Sequence, residues 1–112
     1  MARTTFSGPV ASDNGFIAGT GNTVTAVLTA TSTIDFPSIS ANTTSDSSGI
    51  TVTGASVGDA VMVGAPAAIE SGLVVTAYVS AANTVKVRAA NVTASPINPA
   101  SGTFRVVVVK VA

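Results

Sequence analysis

The chain contains no histidine and no cysteine. The first absence removes the commonest general base and the commonest transition-metal ligand. The second removes thiol nucleophiles, disulfides and thiolate zinc sites. Aromatic residues are nearly missing too: four Phe, one Tyr and no Trp leave few platforms on which a base or a sugar could stack. Charge is equally scarce, with five basic and five acidic groups and a formal net charge of zero over 112 residues. No basic stripe is available to follow a phosphate backbone, so nucleic acid is not an expected partner. No apolar run approaches the ~20 residues of a membrane-spanning helix. The opening MARTTFSGPVASDNG also lacks the apolar core of a secretory signal. Synthesis in a reducing cytoplasm, without membrane insertion, is the expectation.

The five acids, Asp13, Asp35, Asp46, Asp59 and Glu70, are scattered singly, whereas glycoside hydrolysis needs two positioned carboxylates. Asp13, Asp46 and Asp59 stand beside Gly, Asn or Ser, as turn formers do. Asp13-Asn14-Gly15 and Asp46-Ser47-Ser48-Gly49 lack the spacing of a calcium loop. The Thr-x-Thr stretches at Thr23/Thr25, Thr29/Thr31 and Thr51/Thr53 are too few for a flat ice-binding array and read as solvent faces of strands. Asn42-Thr43-Thr44 and Asn91-Val92-Thr93 match glycosylation sequons, which without an export signal read as coincidence. Nothing pairs Lys86 or Lys110 with an Asn and a buried acid, as a spontaneous isopeptide bond requires. The chain is therefore expected to be no enzyme, with no metal and no cofactor.

What is present is β-forming residues and turn formers. Hydrophobic residues make up 46% of the chain and charged ones 9%, against about a quarter charged in ordinary globular proteins. Ser, Thr, Asn and Gly must coat the surface instead. So neutral a surface favours association, and the chain is expected to work inside an assembly.

Residues 1–22 show neither helical nor strand period, carry turn signals at Gly8-Pro9, Asp13-Asn14-Gly15 and Gly19-Thr20-Gly21, and space Phe6, Val10, Phe16 and Ile17 between them. This segment reads as an extended arm with apolar anchors. From Thr23 the pattern turns β. Val24, Ala26, Leu28 and Ala30 alternate with threonines, and Val27 breaks the polar face. STIDFPSI reads as a second short run ending near Pro37, ANTTSDSSG as a loop and ITVTG as a strand. AVMVG reads as a short, fully buried strand, and APAAIESG as a connection with room for one helical turn. LVVTAYVS and TVKVRAA alternate cleanly and read as a hairpin through Asn83, a residue that tolerates left-handed backbone. NVTASPINPASG is a long loop and TFRVVVVKV the last strand. Seven or so short strands with Gly/Pro-rich joints predict an all-β fold: a small antiparallel, jelly-roll-like sandwich or barrel over residues 23–112, preceded by the arm over 1–22.

The last strand poses the sharpest question. Phe104, Val106 and Val108 can face a core, which leaves Arg105, Val107, Val109 and Val111 on the opposite face. Either an intramolecular loop covers these valines or a neighbouring subunit does. The low charge favours the subunit, and Arg105, Val107, Val109 and Val111 are the expected interface.

Two stretches carry a resemblance. TTFSGPVASDNGF resembles the opening of the small decoration (cement) proteins of tailed-phage heads. The region from TIDFPSI to TFRVVVVK resembles a β-domain of phage structural proteins, found on heads and at tail-fibre tips. Its marks are TIDFPSI, Gly58-Asp59 before an apolar strand, Gly72-Leu73 opening the hairpin, and Asn91-Val92-Thr93 before Thr103-Phe104-Arg105-Val106. The resemblance implies a virion protein on the phage head surface. It implies a homotrimer seated where capsomers meet, bound to the major capsid protein and clamping the expanded shell. Arg3, Phe6, Val10, Phe16 and Ile17 would then be the capsid-binding arm. The alternative is a fibre-tip module whose loops 42–49 and 91–102 contact a host receptor.

Overall fold

The computed structural model describes residues 3–112; Met1 and Ala2, the start of the expected arm, lie outside the described residues. Among the described residues eight strands form and no helix: β1 (Phe16–Ile17), β2 (Thr23–Ile34), β3 (Thr44–Asp46), β4 (Ile50–Thr51), β5 (Ala60–Gly64), β6 (Leu73–Ala81), β7 (Thr84–Asn91) and β8 (Gly102–Val111). They build two antiparallel four-stranded sheets packed as a sandwich. Sheet 1 runs β1-β2-β8-β5. In sheet 2, β7 has β6 along one edge and β3 and β4 in succession along the other.

The longest alternation makes the longest strand. In β2, Leu28, Ala30, Ser32 and Ile34 turn inward while Val27, Thr29, Thr31 and Thr33 stay exposed. STIDFPSI is thus no separate run. Ser32 and Thr33 carry the alternation on to Ile34, and only Asp35–Pro37 ends it. β8 pairs with β2 along its whole length, from Val24↔Val111 to Ile34↔Gly102, with one bulge at Thr25.

The core lies where the inner faces meet. Phe104, Val106 and Val108 of β8 pack with Ile34, Phe36, Ile50, Val52, Val79, Val85, Val87 and Ala89. Phe36 and Phe104 meet edge to face, with centroids 5.9 Å apart and planes at 86°, the arrangement that the aromatic quadrupole favours. Each such side chain contributes about 1.5–3 kcal/mol on burial. Among the described residues thirteen apolar ones are buried, and polar contacts add to them in holding the loops.

Asn91, 1% exposed, does this for the long loop. Its amide nitrogen donates to the carbonyls of Ile39 (2.9 Å) and Ser95 (2.8 Å), and its Oδ1 accepts from the Thr93 backbone (2.9 Å) and hydroxyl (2.7 Å). This enclosure leaves the Asn91 sequon no side chain to modify in the folded protein. Asn83, at φ 60°, turns the β6–β7 hairpin as expected, and its Oδ1 accepts from the Gly54 amide at 2.8 Å.

Three local expectations are corrected. AVMVG is not fully buried: β5 is the rim strand of sheet 1, with Val61 and Val63 turned in and Ala60, Met62 and Gly64 exposed. The polar loop ANTTSDSSG contains β3, whose Ser45 lies opposite Ala89 while Thr44 and Asp46 face out. APAAIESG forms turns, closed by the Ile69 amide on the Pro66 carbonyl (3.1 Å), with no helical turn.

The radius of gyration is 17.3 Å and the extents are 57 × 30 × 24 Å. A compact chain of this length would give about 13 Å. The shape is therefore elongated, and residues 3–14, before β1, are exposed throughout.

Candidate functional site

Chemistry-bearing groups are few, so the candidate site is a surface. The arm comes first. Arg3, Phe6, Val10, Phe16 and Ile17 are all exposed, Phe6 by 64% and Val10 by 63%. The sandwich gives these apolar groups no cover. The arm's root, however, is fixed. Phe16 and Ile17 pair with Val24 and Thr23, and just before them Ser12–Gly15 closes a turn. Gly15 sits at φ +85°, and a Cβ there would run into the Val24 carbonyl. Only glycine fits this left-handed, crowded position.

The second part is the outer face of sheet 1. β8 is a central strand, flanked by β2 and β5. Val107 lies between Thr29 and Met62, and Val109 between Val27 and Ala60. These lateral neighbours leave Val107 and Val109 half-buried, with Arg105 and Val111 exposed. No loop covers the face, for Val27 is 54% and Met62 58% exposed. The intramolecular cover weighed above is therefore not found among the described residues. The bulge at Thr25 adds to the patch, because it sets Val24 opposite Val111 rather than in phase with Ala26. Val10, Phe16, Val24 and Val27 then line one groove of about 180 Å³. Arm root and sheet face are thus one apolar surface.

Two contributors escape the sequence pattern. Val27 is visible there only as a break in a polar face. Met62 is hidden by the reading of AVMVG as buried. A rim strand and a buried strand look alike in a run of five.

The outer face of sheet 2 is polar by contrast. Arg88 Nε and Nη2 donate to the two Asp46 oxygens at 2.7 and 3.0 Å, and the Tyr78 hydroxyl donates to Asp46 Oδ2 at 2.6 Å. The Arg88 guanidinium also lies 4.7 Å over the Tyr78 ring. The Arg88 hydrogen bonds, then that of Tyr78, lower the Asp46 carboxyl to about 2. Asp46 in turn raises the Tyr78 hydroxyl above its ordinary value. Each group is satisfied by the other two, as in a structural clasp.

Beside the clasp, residues 32–37 and 46–49 border a cleft of about 210 Å³. At the far end of the molecule Lys110 Nζ donates to Asp59 Oδ2 at 2.6 Å, and this bond lowers the Asp59 carboxyl below its ordinary range. Among the described residues no three His, Cys, Asp or Glu stand together to hold a metal ion. Loops 42–49 and 91–102 are tied by β3 and by the Ile39↔Ile97 bridge respectively. No family model matches the chain, and neither a curated protein nor a solved structure matches it.

Proposed function

We propose that this chain is a virion structural protein: a decoration (cement) protein that binds the outside of a tailed-phage head as a trimer and stabilises the shell. The observation that carries the reading is the arm. Phe6 and Val10 are 64% and 63% exposed on a segment that forms no strand of the sandwich. Exposed apolar groups grouped in this way mark an interaction site. The resemblance of TTFSGPVASDNGF to the openings of cement proteins supports the same reading. The major capsid protein is the partner, and the arm residues Arg3, Phe6, Val10, Phe16 and Ile17 make the contact.

The outer face of sheet 1 fits the trimer. Val107, Val109 and Val111, with Arg105 at the margin, would be covered by neighbouring subunits around a threefold axis. Three arms on one body then bind at high effective concentration, so that weak single contacts give lasting attachment. Assembly would follow synthesis in the bacterial host cytoplasm.

A fibre-tip module is the second reading, and the cleft bordered by residues 46–49 favours it. Its weakness is the lack of a stacking platform. Tyr78 is the one Tyr or Trp, and Arg88 already occupies one face of its ring.

The test is to mix the purified protein with undecorated expanded heads of the phage that encodes it, sediment them and count bound copies. Saturable binding in multiples of three per site is expected. Absence of binding to heads would overturn the reading and turn attention to the tail.

A further inference from the structure

We propose that residues 3–12 of one copy add as an extended strand to the free edge of β2 in a second copy. This exchange rests on the trimeric reading above and supplies the contact that would close such a ring.

The edge itself is the first observation. β2 is paired with β8 along one side, but along the other β1 covers only Thr23 and Val24. From residue 25 to residue 34 no backbone hydrogen bond joins that side to any described residue. The sequence there, TAVLTATSTI, has no charge and no proline. Proteins commonly blunt a free edge with Lys, Pro or short length, because bare N–H and C=O groups are a template for another strand. Apart from its bulge at Thr25, this edge has none of these guards, and it is long.

The occupant follows from what already touches it. The edge accepts this chain's arm in antiparallel register, Phe16 opposite Val24 and Ile17 opposite Thr23. The same arm does not pair farther along it: beyond the Ser12–Gly15 turn no backbone hydrogen bond joins residues 3–11 to β2, and Val10 only borders the groove beside Val27. An arm from a neighbour is free of that restraint. Ten residues of strand span about 33 Å, the length of the ten unpaired residues of the edge. Both shorter extents of the molecule, 30 and 24 Å, are within that reach.

The arm's own pattern suits addition. Thr4, Phe6, Gly8 and Val10 share one parity and Pro9 the other. Within a strand, residues of one parity turn their N–H and C=O groups to the same edge. The arm therefore pairs through the edge of Phe6 and Val10, and Pro9, which has no N–H, falls on the outward edge. Pro9 thus guards the outward edge against a further strand. Because addition uses backbone, the Phe6 and Val10 side chains stay on a sheet face, available to the shell.

The absence of cysteine makes the test clean. Full-length Ser7→Cys protein is mixed with full-length Thr29→Cys protein and treated with a short bismaleimide, then resolved on a denaturing gel. A crosslinked dimer between the two variants is expected, and the double variant should yield trimer. Absence of the mixed dimer, or a double variant linked only within itself, would overturn the exchange. Val10→Pro removes an N–H on the pairing edge and should cut crosslinking at least tenfold with unchanged thermal unfolding, Val10 being exposed. Undiminished crosslinking in that variant would equally overturn it. Head sedimentation of the same proteins separates the two readings. Crosslinked rings that ignore heads leave the exchange standing and remove the decoration role; head binding without intermolecular crosslinks does the reverse.

Discussion

Val27 of β2 stands directly across from Val109 of β8 on the outside of the sandwich. Two apolar side chains meet there, Val27 54% exposed and Val109 half-buried, over the very strand whose other face fills the core. The outer face of sheet 1 thus carries an apolar patch, Val27, Met62, Val107 and Val109, beside exposed threonines. A lysine at this point would leave folding alone and disturb whatever lies on top. Val27→Lys is expected to keep stability within about 0.5 kcal/mol, as for other exposed positions, and, on the proposed trimeric reading, to shift the protein from trimer to monomer in sedimentation velocity. A variant that stays trimeric would remove this face from the interface.

The buried side of the same strand behaves in the opposite way. Val108 is fully buried, and Val108→Ala should destabilise by about 2 kcal/mol through lost burial and a residual cavity. Urea unfolding in the Val27→Lys background would measure it apart from the proposed assembly.

Asn91→Ala tests the polar support of the long loop. It strips a hydrogen-bond donor from two carbonyls and an acceptor from Thr93 inside a buried pocket. The expected loss is about 3 kcal/mol, more than for an exposed amide, because the deserted partners stay desolvated. Equilibrium unfolding would show it, with proteolysis within residues 92–101 as an independent sign.

Acid should loosen the Asp46 clasp. The carboxyl is lowered from 3.8 to about 2 by Arg88 and Tyr78, so the folded state holds its proton less tightly than the unfolded chain. The stabilisation is complete well above pH 4 and is lost as pH falls through about 2. Asp46→Asn should flatten the stability profile between about pH 4 and 2 while leaving the Asp59–Lys110 share of the acid loss in place. Parallel profiles for parent and variant would contradict the clasp.

Gly15→Ala is the local test of the arm's root. Its methyl would meet the Val24 carbonyl at a left-handed φ. The β1 pairing should open, arm cleavage by protease should rise severalfold, and the core's unfolding midpoint should hardly move.

The β character, the hairpin at Asn83 and the division of β8 into two faces were legible from alternation and turn residues alone. Three things were not. β3 is hidden because a three-residue rim strand of Thr, Ser and Asp has the composition of a loop. Met62 is hidden because a run of five apolar residues has no phase. The Asp46–Arg88–Tyr78 clasp joins residues 10 to 42 positions apart, and no local pattern records such a meeting. The arm's apolar anchors were legible; that its root is pinned to β2 depends on the missing Cβ of Gly15, which only a three-dimensional neighbour gives meaning.

The place of β8 has a consequence for how the protein comes to exist. β8 alone joins β2 to β5, and its partners on β2 lie 68 to 87 positions earlier in the chain. Contacts so distant in sequence close slowly. Until they close, the threonine-rich strand lacks its longest pairing and the outer apolar face does not exist. The surface offered for assembly is therefore created in the same step that completes the fold. A finished chain thus presents this apolar face only after its core is sealed.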